Sequence, residues 1–181
     1  MSVDPVIAVT LRGLLALLFA SAAWHKLSEL TAFRIVLHDY HVLPTALVTP
    51  ATAIVIVTEV GLAATFPWSV SAGAAAWVAM GLLAAYAVAI AVNLARGRRN
   101  LECGCAPSAY RQPLSEWLLL RNGTLIGACA ITLLPVAARP WAGPDWLTAV
   151  GAMATGAMTW AAAARLLALA TPGAVGRGLA R

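Results

Sequence analysis

The sequence predicts an all-α integral membrane protein: an antiparallel helical bundle of five transmembrane helices, with an interfacial amphipathic helix between the first and the second. Three observations predict it. Of the 181 residues, 61% are hydrophobic and only 10% charged, and the mean hydropathy is +0.83; a soluble domain of this size carries about a quarter charged residues. The apolar residues fall into five runs, each near the roughly 20 residues a helix needs to cross a bilayer. Polar breaks separate the runs and collect most of the basic residues. A net charge of +5 would suggest nucleic acid in a soluble protein, but cations placed between apolar spans report orientation and lipid contact, so nucleic acid is excluded as a partner. Residues 1–181 read as a single membrane domain without an internal repeat.

The first span covers about 6–24, interrupted only by Arg12, and ends at His25 and Lys26. No basic leader precedes it, which predicts a retained helix and not a cleaved signal peptide. The stretch from Leu27 to Pro44 is too polar to span. Phe33, Val36, Leu37 and Tyr40 nevertheless recur at helical spacing with Arg34, His38 and Asp39 elsewhere, the pattern of an interfacial helix over about 30–42. The second span, 46–66, holds Glu59 deep within it. The third, 70–95, is rich in alanine and glycine and uncharged, with Asn93 as its strongly polar side chain. Arg96, Arg98 and Arg99 then open a loop over 96–114. The fourth span, 115–138, carries Arg121 and Asn122 near its start, and Gly123 and Gly127 at the small-xxx-small spacing that lets helices approach closely. Trp141 and Trp146 flank the next turn as interfacial anchors, and a fifth span covers 146–170.

Cys103 and Cys105, one glycine apart in the 96–114 loop, are the one pair in the chain suited to two-electron chemistry. Alternate residues of an extended or turned chain have Cα atoms roughly 5.5–7 Å apart, which overlaps the range of a disulfide. Gly104 gives the backbone freedom to close so small a ring. Strained, exposed disulfides are the labile ones, suited to exchange. The competing readings are two inert loop cysteines or half of a metal site. A zinc site wants about four ligands at paired spacings, and no second cysteine pair or histidine cluster follows, so no metal is expected.

In an alternating topology His25, Lys26, Arg34, His38, His41, Arg96, Arg98, Arg99 and Arg111 gather on the side of the cysteines. Headgroup anchoring explains each of these singly, while together they would favour a thiolate. Arg121 lies just inside its helix, where a cation must snorkel, pair or face a polar cavity. Glu59 lies roughly 20 Å along its helix from the cysteine face, which predicts a proton-handling group or a neutral acid bonded to another helix. Cys129, roughly 18 Å into the fourth span, reads as a small packing residue.

The order of first span, His25-Lys26-Leu27, interfacial helix, Leu43-Pro44, Thr58-Glu59-Val60-Gly61-Leu62, Cys103-Gly104-Cys105 and Arg121-Asn122-Gly123 resembles the MauE family of methylamine-utilisation membrane proteins, within the wider DoxX-like group. The resemblance covers roughly Leu14 to Pro135. In place of the Phe-Gly that often follows the thiol pair in that family, this chain has Ala106-Pro107. The resemblance implies a multi-pass protein of the bacterial inner membrane. It implies a role in disulfide formation and maturation of the methylamine dehydrogenase beta (small) subunit, with a thioredoxin-like, membrane-anchored MauD-like partner. The chain is also similar to the membrane part of bacterial vitamin K epoxide reductase homologues, in which cysteines at the start of a fourth helix pass electrons to a quinone. A quinone-linked thiol-disulfide oxidoreductase follows, with Cys103 and Cys105 catalytic and Arg121, Asn122, His25, Lys26 and Glu59 as quinone-binding candidates. A transmembrane conduit of reducing equivalents and a non-catalytic scaffold are the alternatives.

Orientation sets two arguments against each other. Lys26, Arg34, Arg96, Arg98, Arg99, Arg111, Arg177 and Arg181 fall on the cysteine side or in the tail, against Arg139 alone in a loop on the other. The positive-inside rule then places the thiols in the cytoplasm. The family role requires the periplasm, where disulfides are made.

Overall fold

A computed structural model describes residues 2–68, 70–99, 101 and 114–170. They form six helices: α1 Pro5–Ser28, α2 Leu30–Asp39, α3 Thr45–Thr65, α4 Ala72–Ala95, α5 Glu116–Ile131 and α6 Gly143–Ala170. Among the described residues the sole β-type pairing is an isolated bridge between Val3 and Val136. By length and composition α1, α3 and α4 can cross a membrane, and large apolar side chains such as Trp24, Val57 and Trp77 on their outer faces stay exposed.

Local chemistry explains the ends. Asp4 caps α1 by accepting the Val6 N–H at 2.8 Å, and Pro5 occupies the first turn, where no partner for its missing N–H is needed. At the far end of α4, Gly97 takes φ 73°; its N–H donates to Leu94 O and that of Arg98 to Asn93 O, the paired bonds of a Schellman cap.

The fourth predicted span needs correction. It was expected over 115–138, but α5 stops at Ile131. Pro135 cannot continue a helix, and its carbonyl instead accepts the Val3 N–H at 2.9 Å while Val3 O accepts from Ala137 at 2.8 Å. Sixteen residues extend about 24 Å, less than the roughly 30 Å of a hydrocarbon core.

Helices α1, α3, α4 and α5 meet in one core of Leu15, Ala16, Phe19, Leu62, Phe66, Ala75, Ala76, Ala79, Leu83 and Cys129. Phe19 and Phe66 stack with centroids 6.0 Å apart. Two turns on, Lys26 meets Glu59, so α1 and α3 run antiparallel in register. Helix α6 packs on α1, and the close approach lies there. A Cβ on Gly13 would run into Met153 Sδ, and one on Gly156 would come within 2.9 Å of Leu14. Gly123 and Gly127, expected to serve this purpose, have nothing within 4 Å. Helix α5 instead turns Leu118, Asn122 and Cys129 inward.

Helix α2 covers one end of this core. Its Phe33 is buried beneath Lys26, Arg34 donates to Thr49 Oγ1 at 2.6 Å, and Val36 with Tyr40 joins Ile90, Leu114 and Leu118 in a second apolar cluster.

Candidate functional site

Residues 102–113, with Cys103 and Cys105, lie outside the described residues. The chain on either side of them is tied together. Leu114 N–H donates to Leu101 O at 3.0 Å, and Arg99 grips Glu116 through two bonds of 2.6 and 3.2 Å. Leu114 and Leu118 then seat the start of α5 against Ile90 and Tyr40. One turn beyond Leu118, the helix presents Arg121 and Asn122.

These two line a cleft with Leu18, Phe19, Ser21 and Ala22 of α1, Glu59 of α3, Leu83 and Tyr86 of α4, Leu125 of α5 and Trp160 of α6. Its cavity volume is about 60 Å³, and it is half open to the outside. Asn122 is fully buried, and neither its amide oxygen nor its amide nitrogen finds a partner among the described residues. A buried, unpartnered amide costs on the order of 1–3 kcal/mol. The Arg121 guanidinium lies 5.9 Å from the Trp160 ring centroid, over its face.

Glu59 belongs to a second, deeper network. Lys26 Nζ donates to both carboxylate oxygens, at 2.7 and 2.9 Å, and Tyr86 Oη donates to Oε1 at 2.8 Å. Lys26 and Glu59 are 2% and 1% exposed, and the ammonium also sits 5.2 Å from the Phe33 ring and 5.6 Å from that of Tyr86. Headgroup anchoring, the ordinary expectation for a lysine at that position in sequence, is therefore corrected: Lys26 is inside the bundle. It does so because an antiparallel α3 brings a carboxylate level with it, and a cation and an anion desolvated together avoid the several kcal/mol that each would cost alone.

The quinone-binding candidates thus divide. Arg121, Asn122 and Glu59 meet in one cleft. Lys26 does not line it but touches two residues that do, Glu59 and Tyr86, and His25 does not line it. Tyr86 and Trp160 were missed from sequence. Tyr86 lies on the inward face of α4 with Leu83, Ile90 and Asn93, and a hydroxyl on that stripe was the legible signal. Arg34 and Arg96 are engaged with Thr49 and with His41 O. Among the described residues no group of His, Cys, Asp or Glu is arranged to hold a metal.

The lining suits a quinone. Leu18, Phe19, Leu83, Leu125 and Trp160 offer an apolar slot, and the orphaned Asn122 amide with the Arg121 guanidinium offers donors for a ring oxygen. The cavity volume of about 60 Å³ is smaller than the roughly 150 Å³ of a cavity that takes benzene. A quinone ring could therefore enter it only in part.

Helices apolar enough to cross a membrane, packed around a buried ion network and a half-open cleft, define a helical membrane protein. The sequence profile described as "Methylamine utilisation protein MauE" matches residues 4–135. Methylamine utilisation protein MauE of Methylorubrum extorquens is 38% identical over 155 residues, covering 84% of this chain and 82% of its own. That of Paracoccus denitrificans is 35% identical over 146 residues, covering 81% and 77%. No solved structure matches the chain. The chain belongs to the MauE family.

Proposed function

We propose that this protein is a membrane thiol-disulfide oxidoreductase that works with a thioredoxin-like partner in forming the disulfides of the methylamine dehydrogenase small subunit, discharging Cys103 and Cys105 into a quinone. The observation that carries the reading is the cleft. Arg121 and Asn122, on the helix that leads directly out of the cysteine loop, end in a half-open site where a buried amide has no partner among the described residues. Family membership supplies the methylamine context.

In this mechanism a partner thiolate attacks the Cys103–Cys105 disulfide, and the second partner thiol resolves the mixed disulfide. The partner leaves oxidised and the pair reduced. The quinone, when bound, accepts the two electrons that restore the disulfide. Asn122 Nδ2 and Arg121 orient one of its oxygens and stabilise the negative charge developing there. The apolar walls exclude water from the transfer. The thiols face the periplasm of a bacterial inner membrane, where the partner and client fold.

The test is reoxidation of the purified, reduced protein by a short-chain ubiquinone, followed by free-thiol titration. Cys103→Ser and Cys105→Ser are expected to trap the thioredoxin-like partner as a mixed disulfide. Failure of quinone to reoxidise the wild type, or maturation that persists in both serine variants without any trapped partner, would overturn the reading.

A further inference from the structure

We propose that Lys26, Glu59 and Tyr86 form a proton relay that protonates a quinone oxygen at the cleft. The inference rests on the quinone reading and deepens it. Three features of the network support it. Nζ to Oε1 at 2.7 Å and Oη to the same oxygen at 2.8 Å make one continuous chain of short hydrogen bonds, each within proton-transfer reach. The chain has two distinct ends: Glu59 and Tyr86 line the cleft, whereas Lys26 does not. Lys26 itself stands in the last turn of α1, with its ammonium over the Phe33 ring of the covering helix α2.

A structural role explains the network less well. Replacing a buried ion pair by apolar residues of the same volume is often neutral or stabilising, so a lysine and a glutamate are a poor way to glue α1 to α3. Beside a cleft, ionisable groups inside a membrane bundle mark proton pathways.

Oxidation of the two thiols to the disulfide breaks two S–H bonds, forms one S–S bond and releases two electrons and two protons. Reduction of a quinone to its hydroquinone takes up two of each, so the step balances without any further reactant. Tyr86 Oη gives its proton to the nearer ring oxygen. Tyr86 is reprotonated through Glu59 from the Lys26 ammonium, and the two protons that the thiols release balance, through solvent, the two that are taken up. The second proton that the hydroquinone needs would come from outside the cleft.

The experiment uses the full chain in lipid nanodiscs with a short-chain ubiquinone. Binding is read from quenching of Trp160, with Trp160→Phe identifying its share of the signal; turnover is read as the rate of thiol reoxidation in H₂O and in D₂O. Because Glu59→Gln alone strands a buried lysine, the relay is cut in two other ways: by Tyr86→Phe, and by the paired change Lys26→Met with Glu59→Gln. At quinone concentrations that saturate the quenching, both are expected to reoxidise on the order of 100-fold more slowly and to show a larger solvent isotope effect. Wild-type rates in both, with quenching intact, would overturn the relay and leave the quinone reading standing. Absence of quenching and of reoxidation in the wild type would overturn both.

Discussion

Lys26, Glu59 and Tyr86 at one level of the bundle, and Asp4, Arg139 and Asp145 at the end away from the cysteine loop, are networks built from similar groups at similar distances. Arg139 holds Asp4 through bonds of 2.8 and 3.0 Å and Asp145 through bonds of 2.7 and 3.1 Å, as short as those around Glu59. Their surroundings differ. The Arg139 and Asp4 side chains are 36% and 41% exposed, against 1% for Lys26 and Glu59. In water the ions are solvated whether or not they pair, so the outer network adds little beyond clipping the start of α1 to the loop before α6. Buried ions lose that alternative. The inner network therefore makes each partner indispensable to the others while contributing little net stability. A costly network kept beside a cleft points to chemistry, and a cheap one at a chain end points to anchoring.

The sharpest way to break this comparison is to remove one inner partner. Glu59→Ala leaves Lys26 buried and unpaired, and thermal unfolding in detergent should reveal a loss of about 3–5 kcal/mol. Lys26→Met combined with Glu59→Leu should recover most of it. If Glu59→Ala unfolds like wild type, the ion pair is not the desolvated unit described here.

Asn122 gives the next effect, of opposite sign. Replacing a buried, unpartnered amide by leucine removes polar groups that lack partners, so Asn122→Leu should gain about 1 kcal/mol while weakening short-chain ubiquinone binding at least about tenfold. Lower stability with unchanged binding would make Asn122 a packing residue.

Cys129 tests whether electrons cross the bundle. It is fully buried in the apolar core with Leu15, Phe19 and Leu83, surroundings that disfavour a thiolate. Cys129→Ala should cost no more than about 1 kcal/mol and leave the thiol reoxidation rate unchanged. A folded but inactive variant would instead support a transmembrane conduit of reducing equivalents.

The smallest effect is expected at the outer clip. Hydrogen bonds from Arg139 hold the carboxyls of Asp4 and Asp145 below the usual aspartate range. With folded values below unfolded ones, the unfolded chain binds more protons. The contribution is complete above the unfolded value of about 3.9 and is lost as pH falls through the lowered folded values. Arg139→Ala should therefore cost a little stability at neutral pH and nothing at about pH 2. An equal loss at both would mean that the side chain acts by packing and not by charge.

Much of the architecture was legible because hydrophobic length is a local property. The runs at 6–24, 46–66 and 70–95 sit within a few residues of α1, α3 and α4 because each side chain in a run contributes to crossing a bilayer wherever the others go. The helix before Pro44 was likewise readable from its apolar spacing, and it ends at Asp39. The end of α5 was not, because nothing local says that Pro135 will find the N-terminal residue Val3 across the bundle. The same holds for the glycines. Gly123 and Gly127 have the spacing for close approach, but only the rotation of α5, set by which of its faces meets α4, decides that Gly13 and Gly156 perform it.

The site divides in the same way. Residue chemistry alone marked Glu59 as a proton-handling group or an acid bonded to another helix, Arg121 as a cation that must snorkel, pair or face a polar cavity, and Cys103 with Cys105 as the thiol pair, since the cost of a charge in hydrocarbon depends on the group and its depth. Which partner and which cavity depend on the register of one helix against another. Two turns from the Phe19–Phe66 stack, that register sets Lys26 against Glu59; the packing of α4 and α5 then brings Tyr86 and Asn122 to the same cleft. A side chain's need is written in its own atoms. What meets that need lies 33 residues from Lys26 and 27 from Tyr86, a distance along the chain that only tertiary packing closes.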